Sequence, residues 1–408
     1  MSPMTTRWTV LGGSFLAYMF DALELAILAL ALPSIREDLG LSLAQGGLLA
    51  TATLVGIGIS SVTLGWIADA YGRKRALLLS LAIFGVFTAA LAAAPDLWTF
   101  LLLRFLSGLG LGGVWSAVST YVVESWPSGS RGRAVCFALS SSPVGGLTAA
   151  ALAAALLPDW RLLFLVSGLG TVLPLVVVGV FFRESEEWLA GRRGAGRREE
   201  RIRLGQVFSR GLIRPIAVGT LLATCALIGW WGASTWLPTF LGEERGLSVS
   251  AVSTFMIVLN LGNFVGCHVF GFLADRHGYR RVLVVSLVGS GVLLAVSATQ
   301  FSTAPLFLAG AVFGIFTSFF GLFGGFLAGL FPTEVRATGA GFCFNVGRGV
   351  SACAPFLLGS LASAGGLGTG LLVCAGFFVL AAATLAGLPR TSSDSGVRTR
   401  LGSSPTRA

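Results

Sequence analysis

The sequence predicts an all-α membrane protein with twelve transmembrane helices arranged in two pseudo-symmetric six-helix bundles. Of its 408 residues, 54% are hydrophobic and only 11% are charged. A water-soluble protein cannot bury so many apolar side chains and still keep a polar surface. Apolar stretches of about 20 residues, the length that crosses a bilayer, recur along almost the whole chain. A glycine-rich motif of the first half returns in the second half, which indicates a duplicated architecture.

Twelve spans can be placed between the polar breaks of the sequence. In the first half they lie near 8–34, 45–70, 75–94, 97–123, 132–156 and 160–183. In the second half they lie near 211–242, 250–275, 280–299, 303–330, 337–362 and 367–388. The predicted units are therefore a first bundle over 1–183, a charged cytoplasmic linker over 184–210, a second bundle over 211–389 and a disordered tail over 390–408.

The basic residues predict the orientation of these spans. With the N-terminus in the cytoplasm, most of the 28 Lys and Arg residues fall in cytoplasmic segments. The opposite side receives Arg36, Arg161 and Arg245, while Arg104 and Arg348 lie within spans. The net charge of +10 is therefore a topology signal and not the footprint of a nucleic-acid partner. We expect a multi-pass protein of the cell (inner) membrane that contacts lipids, acts as a monomer and has both termini in the cytoplasm.

A Gly-x-x-x-Asp-x-x-Gly motif closes span 2 and returns, 206 residues later, at the end of span 8. A Pro-x-x-x-Arg pattern after span 4 returns after span 10 at an offset of 205. The charges at these span ends predict a cytoplasmic gate whose ion pairs form and break as the two sides open in turn. The predicted gate residues are Gly65, Asp69, Gly72, Arg73, Glu124, Arg131, Gly271, Asp275, Gly278, Arg280, Glu334 and Arg336.

The doubled basic loop resembles the signature of the major facilitator superfamily, which implies a secondary transporter that works by alternating access. The stretch from Tyr121 to Pro127, Tyr-Val-Val-Glu-Ser-Trp-Pro, is similar to one in the sialate:proton symporters and in the neighbouring aromatic acid:proton symporters. The acidic pair of span 1 and the Gly-Arg-Gly at Arg348 resemble the same families. The chain departs from the sialate type at two places. Ala22 stands where those relatives carry a glycine, and Val114-Trp115 stands where they carry an acidic residue followed by an aromatic one.

Four ionisable residues within spans are candidates for the transport chemistry, because charges are costly inside a membrane. Asp21 and Glu24 share a face of span 1, and Asp21 lies about 18 Å from the cytoplasmic edge, against about 20 Å for Arg104. An Asp21–Arg104 pair is therefore possible. We predict Asp21 as the principal proton carrier, Glu24 as its assistant and Arg104 as the modulating cation; the alternative is a permanent structural ion pair. Arg348, near the midplane, is predicted to bind a carboxylate with its guanidinium fork or, alternatively, to serve packing and gating.

The second half lacks the acidic pair and the counterpart of Arg104, so we assign substrate selection largely to its polar and aromatic residues. A packing role is the alternative for the aromatic ones. The predicted substrate-binding residues besides Arg348 are Asn345, Trp230, Trp231, Asn260, Asn263, Phe319 and Phe320.

These observations predict proton-coupled uptake of a small organic anion, such as an aromatic acid, another monocarboxylate or a sugar acid. The alternative is proton-driven efflux of a drug or metabolite, because Ser142-Pro143-Val-Gly-Gly is an imperfect relative of a Gly-Pro-x-x-Gly-Gly pattern in many antiporters. A facilitator without coupling ranks third, since Asp21 and Glu24 argue against it. The sequence carries no Ser/His/Asp set, metal-ligand spacing or phosphate loop, so we expect no enzyme, no metal and no cofactor.

Overall fold

The computed structural model describes residues 3–126, 131–185, 189, 211–299, 303–331 and 336–388, and within these ranges the chain is helical with no β-strand. Most of the predicted linker and all of the predicted tail lie outside them. Seven spans are single helices: span 1 (Pro3–Leu39), span 2 (Leu43–Tyr71), span 3 (Arg73–Ala90), span 7 (Ile213–Thr239), span 8 (Val249–His277), span 9 (Tyr279–Thr299) and span 12 (Leu367–Thr384).

The other five spans each consist of two helical segments with a short break. They are span 4 (Leu97–Leu111 and Val114–Ser125), span 5 (Arg131–Leu139 and Ser141–Leu156), span 6 (Trp160–Gly170 and Val172–Phe181), span 10 (Thr303–Phe316 and Phe319–Gly329) and span 11 (Arg336–Ser351 and Ala354–Gly365). The described part of the chain thus contains the twelve predicted spans, and the predicted fold class is confirmed.

Ten of these spans are long and apolar enough to cross a membrane by length and composition alone. The two others are span 4, whose first segment stops before Gly112-Gly113, and span 11, which carries Asn345 and Arg348. Most predicted boundaries agree with the helices within a few residues. Span 1 is the exception, because the helix continues through Pro33 and extends five residues beyond each predicted end.

The internal repeat extends from the loops into the packing of the helices. In the first half, a Cβ on Gly56 of span 2 would lie 2.4 Å from the Phe105 carbonyl oxygen of span 4. In the second half, a Cβ on Gly262 of span 8 would lie 2.2 Å from the Ala311 oxygen of span 10. Both residues of the second contact lie 206 positions after those of the first. The duplicated halves therefore use the same glycine contact to bring two backbones together.

The two halves meet mainly on the side of the molecule opposite the two motif loops. We call the side of Gly72 and Gly278 the loop side, and the opposite side the far side. Span 2 packs against the second segment of span 11, where a Cβ on Gly47 would lie 2.3 Å from the Pro355 oxygen. The second segment of span 5 packs against span 8, and span 1 contacts span 7. The halves are therefore closed against each other on the far side.

An ion pair adds to this closure at the far-side ends of spans 1 and 7. Arg36 of span 1 donates a hydrogen bond of 2.6 Å to Glu243, which lies in a short π-helix, Phe240–Glu244, after span 7. The pair joins the first half of the chain to the second. No gate was predicted on this side from the sequence.

Candidate functional site

A buried ion pair joins spans 1 and 4 in the interior of the first half. The Arg104 Nη1 atom lies 2.6 Å from Glu24 Oε1, and the two side chains are 1% and 2% exposed. The guanidinium also lies 6.0 Å from the ring centre of Phe164 in span 6. The Thr88 hydroxyl of span 3 faces the Glu24 carboxylate without the geometry of a full hydrogen bond. This pair thus lies among four helices of one half.

The partner of Arg104 differs from the pair suggested by the sequence, since Glu24 and not Asp21 binds it. Glu24 lies three residues, or about 4.5 Å, further along span 1 than Asp21 and is turned by about 60° around the helix. Span 1 extends five residues, or about 7.5 Å, beyond each predicted end, so a depth taken from the sequence cannot separate two carboxylates about 4.5 Å apart. The rotation of the helix decides which of them meets the arginine.

Asp21 instead belongs to a polar group that crosses between the halves. Its side chain is 7% exposed, and the cation whose charge acts on it is Arg348 of span 11. Arg348 also acts on Tyr18, which precedes Asp21 by three residues and is partly exposed. The Nε atom of Arg348 is buried and has no hydrogen-bond partner among the described residues. A cation with an unfilled donor and a carboxylate thus lie near enough across the interface for their charges to interact, without a direct ion pair like that of Arg104 and Glu24.

Three of the four predicted aromatic residues of the second half, Trp230, Phe319 and Phe320, form a cluster, but they are not equally exposed. Phe319 is fully buried and stacks on Phe320 with ring centres 4.6 Å apart. Trp230 meets the Phe320 ring edge-on at 5.4 Å, and both are partly exposed. Trp231 packs against core residues of the first half and keeps a buried Nε1 without a partner in the described part of the chain. Phe319 therefore supports the cluster from behind.

The three predicted asparagines occupy different environments. The Asn260 amide donates to the Met256 carbonyl at 2.8 Å, and its side chain fills the space above Gly146 of span 5. The Asn263 amide donates to Thr317, at the break of span 10, at 3.1 Å. Asn345 is exposed. Asn260 and Asn263 thus make contacts between or within helices, and Asn345 is left facing open space.

Two further aromatic residues, which the sequence analysis did not select for the site, meet across the halves. Trp115 of span 4 stacks on Phe344 of span 11 with ring centres 6.3 Å apart and ring planes 27° apart. Trp115 is 41% exposed although it lies within a membrane span. Its position was noted only as a departure from the sialate-type sequences. Phe344 precedes Arg348 by one helical turn, and that spacing is the signal that could have identified it.

Two predicted gate residues of the first half, Arg73 and Glu124, contact each other within that half. Arg73 of span 3 lies 3.0 Å from Glu124 at the end of span 4. Glu184, which the sequence analysis placed in the linker, accepts hydrogen bonds from the backbone N–H groups of Arg73 at 2.7 Å and Lys74 at 3.2 Å. These N–H groups lie in the first turn of span 3, a position where a carboxylate is favourable. The described contacts therefore fasten span 3 to spans 4 and 6.

In the second half, different contacts hold the copy of the motif loop. Arg280 of span 9 donates to the carbonyl oxygens of Leu385 at 2.6 Å and Leu388 at 3.1 Å, at the end of span 12. Gly72 and Gly278 both adopt positive φ angles, +109° and +88°, which explains glycine at the turn of each motif. Gly271 has open space around it. The remaining predicted gate residues lie outside the described residues or have undescribed surroundings: Gly65, Asp69, Arg131, Asp275, Glu334 and Arg336.

Known transporters resemble this chain over almost its whole length. A cis,cis-muconate transport protein of Acinetobacter baylyi is 29% identical over 90% of this chain and 90% of its own length. A sialic acid transporter of Escherichia coli is 29% identical over 88% of both chains. The crystal structure of a D-xylose-proton symporter matches the fold with a TM-score of 0.79 at 16% identity, over 95% of this chain and 99% of that one.

The family assignment agrees with the twelve spans and the duplicated loop. The sequence profile of the Major Facilitator Superfamily matches residues 14–269 and again residues 221–406. Together these matches cover more than half of the chain and include both halves. The chain is therefore a multi-pass membrane transporter, not an enzyme, and belongs to the major facilitator superfamily.

Proposed function

We propose that this chain takes up a small organic anion together with a proton by alternating access. The proposal rests on a buried carboxylate of the first half, Asp21, and a buried donor without a partner on the second half, the Arg348 Nε atom, which lie near enough for their charges to interact. An unpaired charge is strongly unfavourable in a site of low polarity, so Arg348 needs an anion near it in every state of the cycle. In the empty carrier that anion is the Asp21 carboxylate.

Competition for Arg348 supplies the coupling in this proposal. When a substrate carboxylate binds the guanidinium fork, two negative groups compete for one cation. Proton uptake by Asp21 removes that repulsion and leaves one anion on one cation. Substrate and proton therefore enter together, and the loaded site has the same net charge as the empty one.

The positive charges of the loops predict that the loop side faces the cytoplasm. The far-side closure then belongs to a state open toward the cytoplasm, which is the releasing state in uptake and the loading state in efflux. The muconate and sialic acid transporters named above support this proposal, because both of those compounds are carboxylic acids. Proton-driven efflux is the alternative that the following experiment separates.

The proposal is tested with purified protein in liposomes, an imposed pH gradient and labelled benzoate, sialate and muconate. Uptake should follow the proton gradient inward, and an opposite direction of accumulation would establish antiport. In Asp21→Asn, we expect gradient-driven accumulation to disappear while exchange of labelled for unlabelled substrate continues. Loss of both activities in a variant that folds normally would make Asp21 structural and overturn its proposed role.

A second variant tests the substrate contact. Arg348→Lys keeps the positive charge but loses the planar fork, so substrate affinity should fall by about 10-fold or more. The matched control is Arg161→Lys, because Arg161 pairs with Asp38 in a half-exposed contact at the far-side surface of the first half. Unchanged affinity in Arg348→Lys contradicts a bidentate carboxylate contact.

A further inference from the structure

The contact between Trp115 and Phe344 has no part in the proton-coupling scheme, and its position is unusual. A half-exposed tryptophan in a membrane span can face lipid, but this one lies against a ring of the other half. The neighbouring Val114 and Val118 are fully buried, so the helix segment that carries Trp115 is firmly packed. The indole is thus presented from a rigid helix into the space between the halves.

Phe344 is held in the same manner from the opposite side. Its ring meets the edge of Phe323 at 6.4 Å, and Phe323 in turn meets Phe319 at 5.4 Å. Phe323 and Phe319 are at most 1% exposed, so they belong to the core of the second half. The stack therefore joins two rigid supports, one on each half of the chain.

The stack lies between the anion site and the loop side. Span 11 runs from the loop side at Arg336 to the far side at Gly365, so Phe344 lies one turn closer to the loop side than Arg348. Residues four apart share a helix face and are separated by about 6 Å along the axis. A ligand that leaves Arg348 toward the loop side therefore meets the two rings first.

The dimensions favour a flat ring attached to a carboxylate. In a benzoate the ring centre lies about 3 Å from the carboxylate carbon, and a guanidinium–carboxylate pair adds about 4 Å. The total of about 7 Å is close to the one-turn spacing of Arg348 and Phe344. A ring between two others needs about 7 Å between their planes, so the two rings, whose centres now lie 6.3 Å apart, must separate to admit a third ring.

We propose that Trp115 and Phe344 form an aromatic clamp that determines specificity by holding the ring of an aromatic monocarboxylate whose carboxylate binds Arg348. The inference rests on the proposed function, because it assumes that Arg348 binds the substrate anion. In the empty protein the two rings contact each other, and the substrate ring replaces that contact. A saturated ring is thicker than a flat one and has no π face, so it fits this space poorly.

Binding to the purified full-length protein tests the clamp without reference to proton coupling. The probes are benzoate and cyclohexanecarboxylate, which share the carboxylate and differ in the flatness of the ring. We expect benzoate to bind more tightly, with a loss of about 2- to 10-fold in each of Trp115→Leu and Phe344→Leu. Cyclohexanecarboxylate should bind these variants and the unmodified protein equally well.

Three control variants separate the clamp from a loss of folding. Trp98→Leu changes a tryptophan of the same span that is 77% exposed, and it should leave both affinities unchanged. Trp115→Phe and Phe344→Tyr keep an aromatic ring and should retain the preference for benzoate. Loss of the preference in these conservative variants contradicts the proposed ring contact.

The outcomes also distinguish the clamp from the proposed function. Equal affinity for the two probes, no benzoate binding, or an unchanged preference in both leucine variants would overturn the clamp. Each of these results is compatible with proton-driven uptake of another organic anion. Failure of the proposed function has a different readout, which is the absence of accumulation under a pH gradient in liposomes.

Discussion

Removal of either member of the Glu24–Arg104 pair should destabilise the first half, and removal of both should not. The charged atoms lie 2.6 Å apart, and neither side chain is more than 2% exposed. Loss of one partner leaves a buried charge without compensation, which costs about 3–5 kcal/mol, whereas replacement of both partners is often close to neutral. We therefore expect Glu24→Gln and Arg104→Met to lower the Tm by on the order of 10 °C and the double variant to recover most of that loss.

The two single variants should differ in their response to pH. A guanidinium left alone by Glu24→Gln remains charged at every accessible pH, whereas a carboxyl group left alone by Arg104→Met can take up a proton. The Arg104→Met deficit should therefore shrink between about pH 8 and about pH 5, and the Glu24→Gln deficit should persist. Thermal unfolding in detergent measures both. Ser107→Ala is the matched control, because this buried hydroxyl of span 4 binds only the backbone oxygen of Arg104 among the described contacts.

Transport by the double variant decides whether this pair is structural. We propose that it is, and expect Glu24→Gln/Arg104→Met to keep gradient-driven uptake within about 3-fold of the unmodified protein. Asp21→Asn should abolish that uptake. A double variant that is stable and exchanges substrate but no longer accumulates it would refute the reasoning and assign proton coupling to Glu24.

Two further predictions concern the closure of the far side and the turn of the first motif. The variant Glu243→Arg places a second positive charge next to Arg36. The repulsion should lengthen spin-label distances between the far-side ends of spans 1 and 7. The exchanged pair Arg36→Glu/Glu243→Arg should restore these distances. Unchanged distances in the single variant contradict a closing role for this pair. Gly72→Ala should lower the Tm by several degrees, because φ is +109° and a Cβ would lie 2.2 Å from Glu184. Gly58→Ala, which meets open space within span 2, is its control and should change the Tm little.

The fold could be predicted from the sequence because the features that indicate it lie in short stretches of chain and occur in both halves. The span lengths, the loop charges and the 206-residue register are all properties of short stretches of chain. The same register relates Gly56 and Phe105 to Gly262 and Ala311, so the sequence repeat carries the helix contacts with it. Span 1 was predicted too short because the polar residues near both of its ends were treated as breaks, whereas the helix continues past them and through Pro33.

The candidate site was only partly predictable, because its contacts depend on rotations and distances between distant spans. Composition selects Asp21, Glu24 and Arg104 equally well, but a turn of about 60° between two carboxylates decides which of them meets the arginine. Trp115 and Phe344 offered even less information, because each is an ordinary apolar residue on its own helix. The two rings contact each other only because the two halves pack together in the folded protein.

The division between contacts within a half and contacts across the halves also ranks the candidate residues by function. In alternating access the halves move largely as rigid bodies, so contacts inside one half persist through the cycle. The ion pairs Glu24–Arg104 and Arg73–Glu124 lie within the first half, so movement of the halves does not by itself alter their distances. The interaction of Asp21 with Arg348 spans the halves and is altered whenever they separate. A proton site can drive transport only if its surroundings differ between the two states, which is why we place the coupling at Asp21.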